Sequence, residues 1–102
     1  MPKVNRSGDV ELKERTKTKK PPKYKVIIHN DDYTPQDFVV MILMEIFKKS
    51  RPSAVQIMLS VHNKGQGLAG VYTREIAESK MNKVHTIAES YQHPLRCSIE
   101  PE

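Results

Sequence analysis

The 102-residue sequence has no tryptophan, two phenylalanines, four glycines and one cysteine, Cys97. A lone cysteine excludes an internal disulfide framework and a cysteine-based zinc centre, and it fits a reducing compartment, so a cytoplasmic location is expected. No apolar run approaches the roughly 18 residues of a membrane span. The longest, over 38–44, is too short, and no membrane association is expected. The basic N-terminal stretch lacks both an apolar segment and a small-residue cleavage site, so no secretory leader is expected. The length suits one domain and excludes a large multi-substrate enzyme.

What is present in excess is positive charge, and it is unevenly placed. Lys and Arg total 17 against 12 Asp and Glu, a net charge of +5. Residues 1–25 carry nine of the bases and three of the acids, so the rest of the chain is close to neutral. Residues 1–23 show no apolar periodicity and end at Pro21-Pro22. They read as a disordered basic extension before a core domain over 24–102. A basic chain invites a nucleic-acid reading, but that reading needs a basic face on the fold. A near-neutral core, in a chain with 6% aromatic residues, argues against it.

The core pattern is β-α-α-β-α-β. Residues 24–29 are β-branched and apolar, a strand. Thr34 is the expected N-cap of a first helix, with Pro35 at its first position and an end near Lys49. Its apolar residues surround the axis, so it should be buried on more than one side. Ser50 should cap a second helix, from Arg51 to about Asn63, with Gly65 as its stop. Residues 68–72 form a second strand. Thr73 should cap a third helix whose inner stripe is Ala77, Met81, Val84, Ala88 and Tyr91. His93-Pro94 ends it, and 95–100 form the last strand. Three strands covered by three helices make a two-layer α+β sandwich.

Gly65-Gln66-Gly67-Leu68-Ala69-Gly70 spells Gly-x-Gly-x-x-Gly. It follows a helix and precedes a strand, the reverse of the dinucleotide fingerprint, so no nucleotide site is expected. His29, Asp31, Asp32 and His62 could hold a metal only if the first turn abuts the second helix, and no ligand spacing demands it. Cys97, in an apolar strand, reads as a buried thiol. Neither a cofactor nor a catalytic triad is expected. The cluster Asn30-Asp31-Asp32 is a turn by composition, yet it is also a receptor for a cation. An α-amino group is mostly protonated at neutral pH and offers three donors. Asn30, an Asp carboxylate and a neutral His62 could each accept one, with Val39, Met58 and Val61 as apolar walls. His62 accepts only when neutral, so binding should weaken in acid.

These residues also resemble a known family. Residues 24–35 with Asp37-Phe38-Val39, residues 57–62 with Gly65, residues 70–80, and His93-Pro94-Leu95-Arg96-Cys97 are together similar to the ClpS adaptor family. The resemblance spans about 22–100. It implies a non-enzymatic adaptor of the bacterial Clp protease. Such an adaptor binds proteins with a bulky apolar N-terminal residue (Leu, Phe, Tyr or Trp) and delivers them to the AAA+ unfoldase ClpA. It implies a fold like the C-terminal domain of the ribosomal stalk protein. By position it implies that Asn30, Asp32 and His62, with Asp31 adjacent, bind the substrate α-amino group. Thr34, Val39, Met58, Val61 and Leu95 would line the side-chain pocket, and Glu75 and Lys80 would face the unfoldase N-domain. The tail over 1–23 would be engaged during delivery. One position departs from the family: Gln36 stands where a gatekeeper Met is usual, so an altered preference among first residues is expected. A monomer is the default. The alternatives are a stalk-like interaction module, a nucleic-acid binder acting through the tail, and a metal enzyme at His29, Asp31, Asp32 and His62.

Overall fold

A computed structural model describes residues 20–102, and the proposed extension over 1–23 lies almost wholly outside the described residues. Strand β1 (Lys23–His29) leads to helix α1 (Gln36–Glu45) and helix α2 (Arg51–Lys64). Strand β2 (Gln66–Thr73), helix α3 (Arg74–Ser90) and strand β3 (Arg96–Pro101) follow. The sheet is antiparallel in the order β2-β1-β3, so the first strand is central. Val26 and Ile28 are fully buried and join the core, whereas Ile27 lies outside that cluster, as strand alternation requires. Val26 opposes Gly70 while Ile27 opposes Leu68, so Ala69 is the extra residue of a bulge in β2. On the other edge, Ile28 opposes Cys97 and His29 opposes Arg96.

The expected element order is the observed one. Ser50 caps α2, its Oγ accepting from the Ser53 N–H at 3.3 Å. Gly65 ends that helix at φ +91°, where its N–H reaches the Val61 carbonyl. Gly67 has a different task. A Cβ there would stand 2.8 Å from Val61 Cγ2, so the missing side chain lets α2 lie directly on β2. Both glycines serve the helix-to-strand junction and make no phosphate cradle.

Three expectations are corrected. The cap of α1 is Pro35, not Thr34, and the helix begins at Gln36, because the Thr34 hydroxyl donates to Asp31 instead. The same helix stops at Glu45, short of Lys49. Ile46 and Phe47 turn into the core, Lys48 takes φ +58°, and the Lys49 N–H returns to the Leu43 carbonyl. Tyr91 is 60% exposed and belongs to the end of α3 rather than to its inner stripe. There the chain reverses through Gln92 at φ +62°, and the His93 N–H returns to the Ala88 carbonyl. Ala77, Val84 and Ala88 do form the buried stripe, with Met81 half-buried beside them. Thr73 is the N-cap residue of α3, though its side chain makes no capping bond. No helix among the described residues is long and apolar enough to cross a membrane.

Candidate functional site

The loop over 30–35 joins the central strand to α1, and two sets of bonds hold it. The Asn30 N–H donates to the Gly65 carbonyl at 3.0 Å, which ties the end of β1 to the end of α2. Asp31 organises the rest. Its Oδ1 accepts from the N–H groups of Tyr33 and Thr34, each at 2.8 Å, and its Oδ2 accepts from the Thr34 hydroxyl at 2.8 Å. Burial pushes the Asp31 carboxyl up. The Tyr33 N–H, the Thr34 hydroxyl and N–H, and the nearby His93 outweigh it, so its pKa lies below the usual carboxylate value. Asp31 is therefore the loop's internal anchor, with both oxygens occupied. Among the described residues, no hydrogen bond engages the side chains of Asn30, Asp32 or His62.

These groups surround a cavity of about 410 Å³. Asn30, Asp31, Asp32 and His62 stand at its polar side. Thr34, Gln36, Val39, Met58 and Val61 supply the remainder of the expected lining. Val39 and Val61 are buried, Met58 is half-buried and Gln36 is exposed, so the site has an apolar floor and a wetter rim. His62 lies in the last turn of α2. The partial negative charge of a helix C-terminus favours a cation near it, in the same sense as Asp32. Tyr33 and Pro35 also line the cavity, and sequence reasoning passed over both. Their position inside the contiguous 30–36 loop was the available signal. Leu95 is the expected lining residue that stands elsewhere. At 2% exposure it packs within the core cluster, outside the cavity wall.

The other named residues are dispersed. His29 directs Nε2 to the Ser98 Oγ at 2.7 Å, a cross-strand bond between β1 and β3. Among the described residues no group of three His, Cys, Asp or Glu side chains could hold a metal ion; Asp31, Asp32 and His62 line the cavity, and His29 is the member that stands apart. Cys97 is buried, and that burial pushes its thiol up to about 12. It stays protonated at neutral pH and is a poor nucleophile. Glu75 is exposed in the first turn of α3, beside Glu78 and Ser79, on an open depression along that helix. Lys80 is placed otherwise. Its Nζ donates to the Ile46 carbonyl at 2.9 Å and lies over the rings of Tyr72 and Phe47, at 5.2 and 6.0 Å. Burial, and then Lys83 and Lys48, lower its pKa.

Comparison with known proteins points the same way. A family profile described as "ATP-dependent Clp protease adaptor protein ClpS" matches residues 19–98. The ATP-dependent Clp protease adapter protein ClpS of Desulfatibacillum aliphaticivorans is 53% identical over 95 residues, covering 93% of this chain and 91% of that protein. The corresponding protein of Desulfotalea psychrophila is 58% identical over 85 residues, 83% of each. Among solved structures, Agrobacterium tumefaciens ClpS2 bound to L-phenylalaninamide superposes with a TM-score of 0.79 at 35% identity. The match covers 81% of this chain and all of that one.

Proposed function

The chain belongs to the ClpS family of Clp protease adaptors, which are not catalytic enzymes, and from that premise we propose that it recognises proteins by a bulky apolar N-terminal residue and hands them to the ClpA unfoldase. One observation carries this reading: Asn30, Asp32 and His62 share one cavity with the apolar floor made by Val39 and Val61. The phenylalaninamide held by the Agrobacterium relative, a free amine bearing an aromatic side chain, is a ligand of the same chemistry.

The physical argument rests on two filters. Burying a Leu or Phe side chain stabilises a complex by roughly 1.5–3 kcal/mol. Apolar fit alone cannot tell a chain terminus from the many other Leu and Phe side chains a cell exposes. The amine does so. A free α-ammonium can donate to Asn30 Oδ1, to the Asp32 carboxylate and to a neutral His62 nitrogen, near the negative end of α2. An acetylated terminus or an internal residue brings an uncharged amide. It would leave Asp32 desolvated without a partner, at a cost of about 1–3 kcal/mol or more. Asp31 contributes by holding the loop, so its part in amine binding is indirect. Capture of an N-terminal amine is an established recognition mode.

Delivery is assigned to the exposed start of α3 around Glu75, as the surface for the unfoldase N-domain, with the basic extension engaged during transfer and the adaptor acting as a cytoplasmic monomer. Lys80, tied to Ile46, serves that surface by fixing α3 against the end of α1. Gln36 places an amide at the cavity wall and should favour Tyr over Phe, because a polar wall disfavours an unpaired apolar ring. The deciding experiment is fluorescence anisotropy with two labelled peptides, alike except that one begins with free Leu and the other with acetylated Leu. Binding of the free form alone is expected, and equal binding or none would overturn the reading.

A further inference from the structure

A second cavity of about 370 Å³ adjoins the first, between α1 and α2. Val40, Met41, Met44 and Val55 supply its apolar lining, the exposed Asp37, Glu45 and Arg51 complete it, and Gln36 and Met58 line both cavities. Two side chains, one from each helix, therefore form the wall between the amine pocket and a methionine-lined groove. Both are unbranched and carry three rotatable bonds or more. A methionine changes rotamer cheaply and keeps favourable contacts in several shapes. Gln36 is exposed at the first position of α1, so its amide can stay in water whichever way it turns.

We propose that Gln36 and Met58 are a movable partition, and that the groove behind it receives the far end of a long, unbranched first side chain. The proposal rests on the amine-pocket reading above and extends its substrate class from compact residues to linear aliphatic ones. The occupant is fixed by chemistry on both sides. Its amine stays at Asn30, Asp32 and His62, and its chain crosses between Met58 and Gln36 to lie on Met41, Met44 and Val55. A branched or aromatic group of ordinary size fills the first cavity and leaves the wall closed.

The test uses the full chain and three labelled peptides, alike except for a first residue of Leu, norleucine or 2-aminodecanoic acid, each with a free amine. An acetylated 2-aminodecanoic peptide controls for non-specific adsorption. Because each buried methylene is worth about fourfold in affinity, the 2-aminodecanoic peptide should bind at least as tightly as norleucine. Val55→Phe and Met44→Phe fill the groove without touching the first cavity. Each should weaken the long peptide by about tenfold or more, the loss of two or so buried methylenes, and leave the Leu peptide within about twofold. In the unaltered chain, methyl NMR of labelled methionines gives an independent reading. The Met41 and Met44 methyl signals should move with the long peptide and stay in place with Leu. Loss of long-peptide binding in the parent, equal weakening of both peptides by the filling variants, or unmoved Met41 and Met44 signals would overturn the partition while leaving the amine pocket standing. Failure of the free Leu peptide to bind would overturn both.

Discussion

Helix α1 is bracketed by two short connections that treat their polar groups in opposite ways. The turn over 46–50 satisfies itself. The Lys49 N–H returns to Leu43, Lys80 reaches across from α3 to the Ile46 carbonyl, and Ile46 and Phe47 are buried. The loop over 30–35 satisfies only its interior. Asp31 takes three donors from within the loop, while its neighbours Asn30 and Asp32, which line the cavity with it and His62, are engaged by no side-chain hydrogen bond among the described residues. The first connection is a structural joint. The second is an internally hydrogen-bonded frame with unmatched acceptors on its rim, and under the proposed function that prior ordering lowers the cost of taking up a ligand.

That contrast breaks down if the neighbouring carboxylates prove interchangeable. Asp32→Ala should have the largest effect on binding. Removing one partner of a desolvated charge pair costs about 2–5 kcal/mol, or roughly 30-fold or more in affinity for a free Leu peptide. The melting temperature should be nearly unchanged, as measured by anisotropy alongside thermal circular dichroism. Asp31→Ala should do the reverse first. Loss of its bonds leaves loop N–H groups without partners and should destabilise the fold by about 1–3 kcal/mol in urea titration, with binding weakened as a consequence. Since the folded pKa of Asp31 is depressed, its contribution is complete above the unfolded carboxylate value and is lost as pH falls through the folded value. Asp31→Asn should flatten the acid limb of the stability–pH curve, and an unchanged limb would mean that the loop does not rely on its charge.

The joint on the other side of α1 gives the converse test. Lys80→Met keeps the stem over Tyr72 and Phe47 but removes the donor to Ile46. A loss of about 1 kcal/mol or less is expected, since one hydrogen bond contributes about that much net. Leu-peptide affinity should stay within about twofold, and a large loss of affinity would show that the two connections are coupled through α1. A smaller effect should come from His85 on α3, which is not part of the cavity lining. It accepts the Cys97 N–H on Nε2 at 3.1 Å, and burial, then Arg96, lower its pKa. The fold thus prefers the neutral ring. Its contribution is complete above the unfolded imidazole value of about 6.5 and declines as pH falls from there toward the folded value. His85→Gln should remove that shallow slope without altering peptide binding at pH 7.5. Smallest of all is the expected change in ranking for Gln36→Met, with Phe gaining on Tyr by a few-fold at most in a peptide panel.

The same comparison explains how much could be read from residues alone. The second helix was legible at both ends because Ser50 and Gly65 act through their own local chemistry. The end of α1 was not. Ile46 and Phe47 continue its apolar pattern, and what stops the helix is their burial together with a lysine more than thirty residues away. Thr34 looked like a cap because nothing local reveals that Asp31 will claim its hydroxyl. Tyr91 fits the helical period of α3, yet the chain reverses at Gln92 and leaves the ring at the surface, 5.3 Å between centroids from Phe38. Leu95 was expected at the cavity wall and belongs to the core.

Sequence alone determined the element order and the concentration of positive charge in residues 1–25, and it named the residue types from which an amine receptor is proposed. Those follow from periodicity, charge and side-chain chemistry, which each residue carries wherever it lies. Only the tertiary structure decided which of two adjacent aspartates is tied up within the loop. Composition makes Asp31 and Asp32 identical. The loop leaves β1 with Asn30 bonded to Gly65 and then commits one carboxylate to its own backbone, while among the described residues no hydrogen bond engages the next.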